Sequence, residues 1–335
     1  MTKTFKAYQL TKENETVTGA VTTLTTNDLP EGEVLIKVHY SSINYKDAMA
    51  NTNNSVIVKN YPQIPGIDLV GEVVESADDQ FEEGDHVIAT SYGIGVTHDG
   101  GYSEYARVGS EWVLPLPNGL SMKDAMLFGT AGFTAALSID RLEKNGLTPE
   151  KGQVLVTGAT GGVGSIAVAM LAHKRYNVVA STGKSEATDF LKKLGAKEVI
   201  SREAVFDGEV KAVAKPQWAA AVDPVGGKTL ASILGKLHYD GGVAVSGLTG
   251  GVEVPTFVYP FILRGISLIG IDSVNFPMNR RKEIWDRVAT DLKPSKDILE
   301  IILNKEIGLE QLADELPNLI AGKALGRTIV KVVTK

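Results

Sequence analysis

Seven residues, Gly158-Ala159-Thr160-Gly161-Gly162-Val163-Gly164, follow the apolar run QVLVT (153–157) and precede the apolar stretch SIAVAMLAHKR (165–175). A strand, a glycine turn and a helix in that order form a cradle for phosphate. The first glycines allow a tight turn and close backbone approach, the last lets the helix pack on the strand, and the helix N-terminus offers amides and partial positive charge. Thr160, Gly161, Gly162, Val163, Gly164 and Ser165 are the positions expected to meet a pyrophosphate. The glycine spacing alone is a weak signal, because a tight turn in an α/β domain without a ligand satisfies it too. The continuation strengthens it: NVVAST (177–182) reads as the next strand and EATDFLKKLG (186–195) as a helix closed by glycine.

The end of that second strand is where a dinucleotide's adenosine ribose is read. A site for NAD usually places Asp or Glu there, to accept the ribose hydroxyls and repel a 2′-phosphate. Here the strand ends Ala180-Ser181-Thr182-Gly183-Lys184, with no carboxylate before Glu186. Ser181 can donate to a phosphate, Lys184 can neutralise it, and Arg202, just after the next short strand KEVIS (197–201), can close the same pocket. The expected cofactor is NADPH. Lys184 alone also fits an ordinary exposed lysine at a helix start; the missing acid is a separate argument. Leu248, in SGLTGG (246–251), sits where glycines would let backbone reach the nicotinamide half.

The elements that hold these groups divide the chain. At 335 residues it exceeds what one core usually organises, so two domains are expected. The first third carries β-branched runs such as VLIKVHYSS (34–42), LVGEVVES (69–76) and HVIATSYG (86–93), punctuated by Gly, Pro, Asn and Asp. From Ser121 the pattern becomes helical, and then helix and strand alternate, implying right-handed crossovers and a doubly wound parallel sheet. The last strand, TIVKVV (328–333), needs a sheet to join and is placed in the first domain. The expected division is a β-rich domain over 1–125 and 300–335 and a dinucleotide domain over 126–299, α/β overall.

Composition narrows the classes. Apolar residues are 43%, charged residues 22% and net charge −6, the balance of a globular chain. That charge disfavours nucleic acid, and the triplet Arg280-Arg281-Lys282 reads as a solvated helix face. The N-terminus lacks a signal-peptide pattern and no run of about 18 apolar residues occurs, so a cytoplasmic protein without membrane association is expected. Cysteine is absent, which removes disulfides, thiol nucleophiles and cysteine-held metals.

PQIPGIDLVGEVVES (62–76), EEGDHVIA (82–89), DGGYSEYARV (99–108), GTAGFTAAL (129–137), VLVTGATGGVGSIAV (154–168) and DPVGG (223–227) resemble the medium-chain dehydrogenase/reductase family, specifically its zinc-free quinone oxidoreductases. NYKDAMA (44–50), PFILRGISLIGIDS (260–273) and GRTIVKV (326–332) look like the acrylyl-CoA reductase-like branch. The resemblance covers essentially the whole chain. It implies a GroES-like catalytic domain, a Rossmann domain, and a homodimer joined through an edge strand, for which ISLIGIDS (266–273) is the candidate; core packing explains that segment almost as well. Where zinc-using members often carry Gly-His-Glu, this chain has Gly66-Ile67-Asp68. Hydride is then expected to go to an already electrophilic small molecule, an activated alkene, an enoyl thioester or a quinone.

Reduction of such an alkene puts negative charge on a carbonyl oxygen and demands a proton at the α carbon. Tyr45 is the first candidate for cofactor or substrate contact, through its phenol. Asn44 is a candidate for orienting a carbonyl or carboxamide, and Asp47 joins them as a charged partner, although Lys46 and Asp47 equally suit a mutual ion pair or a helix cap. The resemblance places a basic residue at Arg327 near the cofactor; a surface salt bridge is the alternative. Ile262 and Ser273 are weaker cofactor candidates for which sheet packing also serves. The histidines read as structural, with His98 alone near a flexible Asp-Gly-Gly loop. A catalytically idle NADPH-binding redox sensor or scaffold remains the rival reading.

Overall fold

The computed structural model describes residues 2–333. In chain order it contains β1 (Thr4–Glu13), β2 (Thr16–Thr25), β3 (Val34–Ser42), α1 (Tyr45–Ala50), β4 (Asp68–Ser76), β5 (His86–Thr90), β6 (Tyr105–Val108), β7 (Val113–Pro115) and α2 (Met122–Lys144). Then come β8 (Gln153–Val156), α3 (Gly162–His173), β9 (Asn177–Thr182), α4 (Thr188–Lys193), β10 (Glu198–Ser201), α5 (Arg202–Val205), β11 (Trp218–Asp223), α6 (Gly227–Leu234), β12 (Leu237–Val245), α7 (Tyr259–Arg264) and β13 (Ser267–Gly270). The chain closes with α8 (Met278–Ala289), α9 (Lys296–Ile302), β14 (Leu303–Ile307), α10 (Leu312–Ile320) and β15 (Arg327–Lys331). Two compact units result: one of the described residues up to Thr130, Val274–Lys282 and those from Leu303 onward, the other of Ala131–Ser273 and Glu283–Ile302.

The first unit is β-rich. β1 and β2 form an antiparallel hairpin, and a seven-stranded sheet runs β14-β15-β3-β4-β5-β7 with β6 also paired to β3. The terminal strand β15 joins β3 antiparallel, Ile329 opposite Ser42, which carries Arg327 to the end of β3. Phe5, Tyr8, Leu10, Ile36, Leu69 and Val330 are among the buried residues of its core. Of the β-branched run HVIATSYG, 86–93, β5 takes the part up to Thr90, because Ser91 and Tyr92 turn at φ +67° and +49°. L-residues tolerate that region only where surroundings hold them there.

Part of the hold is Arg281. Its guanidinium lies 4.6 Å from the Tyr92 ring centroid and donates to Thr90 Oγ1 at 3.2 Å and to the Val274 carbonyl at 3.1 Å. Arg281 is 1% exposed, so the reading of the 280–282 triplet as a solvated face is corrected. A planar group with five donors can be buried where carbonyls and an aromatic face await it.

The second unit has the doubly wound sheet expected. Its six strands are parallel in the order β10-β9-β8-β11-β12-β13, which places the topological switch between β8 and β11. Strands buried on both faces read as continuous apolar runs, and β11 is buried at every position. The helix after the glycine turn begins at Gly162 rather than Ser165, and it ends after His173, with Arg175 at φ +66°. ISLIGIDS contributes a shorter strand, Ser267–Gly270, at the sheet edge. α2 runs through a sharp break at Gly129, φ +49° and ψ −154°, which only glycine adopts readily. Among the described residues no helix is long and apolar enough to cross a membrane.

Candidate active site

In the second unit, the loops after β8 and β11 leave the sheet at the switch point, where open α/β sheets bind ligands. Their two ends are tied: Thr157 Oγ1 donates to Asp223 Oδ1, and Asp223 Oδ2 accepts the Gly226 amide at 2.9 Å. Burial raises the Asp223 carboxyl above its ordinary range, and those donors oppose it. The turn then tightens through Gly161 N to Gly158 O at 3.0 Å and is tied to β9 by Ala159 N to Ser181 O at 3.1 Å. A Cβ on Gly164 would lie 2.3 Å from the Gly158 carbonyl oxygen, so this position must be bare for α3 to begin against the turn. The first-turn amides of Gly162, Val163 and Gly164 have no carbonyl one turn back inside the helix, and are the groups such a terminus presents to an anion.

Ser165 departs from its expected role. Its amide is spent on Gly161 O at 2.9 Å, its hydroxyl turns to Gly162 O at 3.4 Å, and the residue is 0% exposed. It belongs to the helix. Thr160 is buried at the turn, while Leu248 and Ile262 are exposed. Ser273 follows β13 at the end of this unit.

The expected phosphate-binding groups sit at and beside the end of β9. The Arg202 guanidinium crosses over Gly183, so closely that a Cβ there would lie 1.7 Å from Nη2. Ser181 is buried beneath, its hydroxyl 3.4 Å from the Ser201 carbonyl, and the Lys184 amide is held by Thr182 Oγ1 at 3.0 Å. Partial burial lowers the Lys184 ammonium below its ordinary range. These residues fit a dinucleotide carrying an extra phosphate: two cations, a hydroxyl, a bare glycine and no acid at the strand end.

The first unit holds a second constellation, largely missed by sequence reasoning. Asp68, at the start of β4 and 0% exposed, accepts Ser42 Oγ at 2.6 Å, Asn44 Nδ2 at 2.7 Å and the Thr130 amide at 2.9 Å on one oxygen, and the Thr130 hydroxyl on the other. Arg327, 3% exposed, donates to Ser42 Oγ at 2.8 Å, Ile43 O at 2.8 Å and Leu127 O at 3.0 Å. Burial pulls its guanidinium below the usual range, and Asp68, Tyr102 and Asp47 act to restore it. Asp47 is 1% exposed and accepts the amides of Asn44 and Ile67, each at 2.9 Å. Its carboxyl is pushed up to about 7, first by burial and then by Asp68. Tyr102, pushed well above its usual range mainly by burial, donates to Ser42 O at 3.2 Å.

This geometry revises three expectations. Arg327 is neither in a surface salt bridge nor turned outward to a cofactor, because backbone carbonyls and Ser42 take its donors inside the unit. Asn44 was a candidate for orienting a substrate carbonyl and Asp47 a charged partner or a helix cap; both are buried, Asn44 spending its amide on Asp68, and Asp47 takes the helix-cap alternative, with both oxygens on backbone N–H groups. Of the segment, Tyr45 at the first position of α1 is the one placed outward, 44% exposed. The sequence carries clues to the cluster in Gly66-Ile67-Asp68 and Gly129, but nothing in their spacing brings 68, 130 and 327 together.

The cluster also bears on zinc. Asp68's oxygens already accept three side chains and a backbone amide, a buried guanidinium sits among them, and no cysteine exists in the chain. Donors that offer hydrogens rather than lone pairs do not fit a zinc ion.

Comparison with known proteins agrees with the two-domain fold. Residues 30–118 match the alcohol dehydrogenase GroES-like domain, and residues 162–290 match the zinc-binding dehydrogenase domain. The chain is 59% identical to a putative quinone oxidoreductase, YhfP, of Bacillus subtilis over 99% of this chain and 100% of that protein. The crystal structure of that protein with NAD bound superposes with a TM-score of 0.96 over 98% of this chain and 99% of that one. Acrylyl-CoA reductase AcuI of Ruegeria pomeroyi is 43% identical over 98% of this chain and 99% of its own. YhdH of E. coli K-12, solved with bound NADPH, is 43% identical with a TM-score of 0.93, covering 97% and 99% of the two chains. On fold, motifs and relatives together, the chain belongs to the medium-chain dehydrogenase/reductase family, in its zinc-free quinone oxidoreductase group and acrylyl-CoA reductase-like branch.

Proposed function

We propose that this protein is an NADPH-dependent reductase that transfers hydride to an electrophilic small molecule, an activated C=C bond of the enoyl thioester type or a quinone. The observation that carries the cofactor half is Arg202 packed over Gly183 beside Ser181 and Lys184, at a strand end without an acid. A 2′-phosphate brings negative charge to a strand end that carries Arg202, Lys184 and a hydroxyl, whereas a bare ribose calls for an acid that this strand end lacks. The relative with NAD bound marks the competing outcome.

Thr160, Gly161, Gly162, Val163 and Gly164 would hold the pyrophosphate. Leu248, Ile262 and Ser273 are proposed as nicotinamide-side contacts. When bound, NADPH supplies the hydride. The protein's part is to stabilise the negative charge that grows on the substrate's oxygen, and the exposed phenol of Tyr45 is the proposed donor. Asn44, Asp47 and Arg327 support it from within.

We further read the protein as a cytoplasmic homodimer. β13 is an edge strand, and Leu268 on it and Leu263 on α7 are exposed, a combination that favours pairing with a second copy.

The test is NADPH oxidation measured with acrylyl-CoA and 1,4-benzoquinone side by side. Turnover of the thioester supports the enoyl reading and turnover of the quinone alone removes it. Tight NADPH binding with no transfer to either would favour a sensor.

A further inference from the structure

We propose that Asp68 is a positioning residue, which through Asn44 sets the direction of Tyr45 and through two hydroxyls fixes the hydrogen-bond order around it. The inference rests on the reading of Tyr45 as the phenol that meets substrate. Arginine can only donate, so Ser42 Oγ accepts from Arg327 at 2.8 Å and has its one hydrogen left for Asp68 at 2.6 Å. The same count applies on the other side. Thr130 Oγ1 gives its hydrogen to Asp68, which leaves Ser91 as the donor in the 3.0 Å contact between the two hydroxyls. Two relays, Arg327 through Ser42 and Ser91 through Thr130, therefore both end in a hydrogen donated to Asp68.

Asn44 is oriented by the same centre. Its Nδ2 donates to Asp68 at 2.7 Å, and it is the residue that caps α1, whose first residue is Tyr45. Asp47 closes the cap from the other side by accepting the Asn44 amide. A residue whose side chain and backbone are both held has no rotamer to exchange, and the helix it starts inherits the direction. An amide at position 68 would keep the shape but offer one accepting oxygen in place of two, and it would take from Arg327 the larger of its two carboxyl partners, leaving Asp47.

The experiment compares Asp68→Asn with the double variant Asp68→Asn/Arg327→Gln, which removes both charges. Wild type and variants are assayed with whichever electrophile wild type reduces, alongside melting temperature, NADPH affinity and the ¹⁹F resonance of 3-fluorotyrosine at Tyr45, assigned with Tyr45→Phe. Expected is a loss in kcat of about tenfold or more in both variants, with NADPH affinity within about twofold. Melting temperature should fall in the single variant and recover in the double one. The Tyr45 resonance should move in both. A double variant with wild-type kcat and an unmoved resonance would overturn the proposal, leaving Asp68 as a counter-ion alone. If wild type reduces no electrophile, the functional reading fails, and the Tyr45 resonance still decides whether Asp68 positions it.

Discussion

The Cβ that Gly129 lacks would lie 2.4 Å from Asp68 Oδ2, with Ser42 Oγ at 2.7 Å and Arg327 Nη2 at 3.1 Å. The break in α2 is thus shaped by the polar cluster it covers. Gly129→Ala brings two costs together, the φ of +49° and the displacement of buried hydrogen-bonded groups. Gly84, at φ +93° with nothing within 4 Å of an added Cβ, separates them. Gly84→Ala should cost about 1–2 kcal/mol, and Gly129→Ala at least about 2 kcal/mol more, read as urea midpoints. Equal losses would mean that only the backbone angle matters.

Asp47 makes stability depend on pH in an unusual sense for a carboxyl. Its folded value is about 7 against an ordinary 3.8, so between these the native state keeps a proton that the unfolded chain releases. Stability should therefore fall as pH rises from about 4 to about 7 and level off above, since the unfolded state binds fewer protons throughout that window. Asp47→Asn removes the titration. Its urea midpoint should decline less than that of wild type between about pH 5 and about pH 8, and parallel declines would show that Asp47 ionises elsewhere.

These two residues also mark where sequence reasoning stops. The glycine turn was legible because strand, turn and helix are contiguous, and the acid-free end of β9 lies within thirty residues of it. The cluster was not. Asp68, Thr130 and Arg327 come from separate parts of the chain, and each side chain alone suits an exposed polar position. Only the pairing of β15 with β3 and the break at Gly129 close them around Ser42. Asn44 and Asp47 were recognised as chemistry-bearing, but the fold turns them inward and leaves Tyr45 exposed. Periodicity could not separate these neighbours on so short a helix.

Cofactor choice is tested at the phosphate pocket. Arg202→Ala and Lys184→Ala should each weaken NADPH binding by about tenfold, the scale of one charge-assisted hydrogen bond, while leaving NADH nearly unchanged. Fluorescence titration of both nucleotides at fixed salt gives the four constants. A parallel loss for NADPH and NADH would move Arg202 away from the 2′ position, and wild type binding NADH more tightly would overturn the NADPH assignment.

Arg281 offers a contrast between neighbours on α8. Its guanidinium meets Thr90, Val274 and the face of Tyr92 while 1% exposed, and it braces the turn at Ser91 and Tyr92. Arg280 stacks over Phe276 at 4.8 Å and is only partly covered. Lysine retains the charge but cannot reproduce the planar fork that meets Thr90, Val274 and the Tyr92 ring together. Arg281→Lys should therefore cost about 2–3 kcal/mol and Arg280→Lys less than about 0.5 kcal/mol, measured by thermal and urea unfolding. Because Ser91 shares a hydroxyl contact with Thr130, Arg281→Lys should also lower turnover. A fully active but destabilised Arg281→Lys would confine the brace to stability.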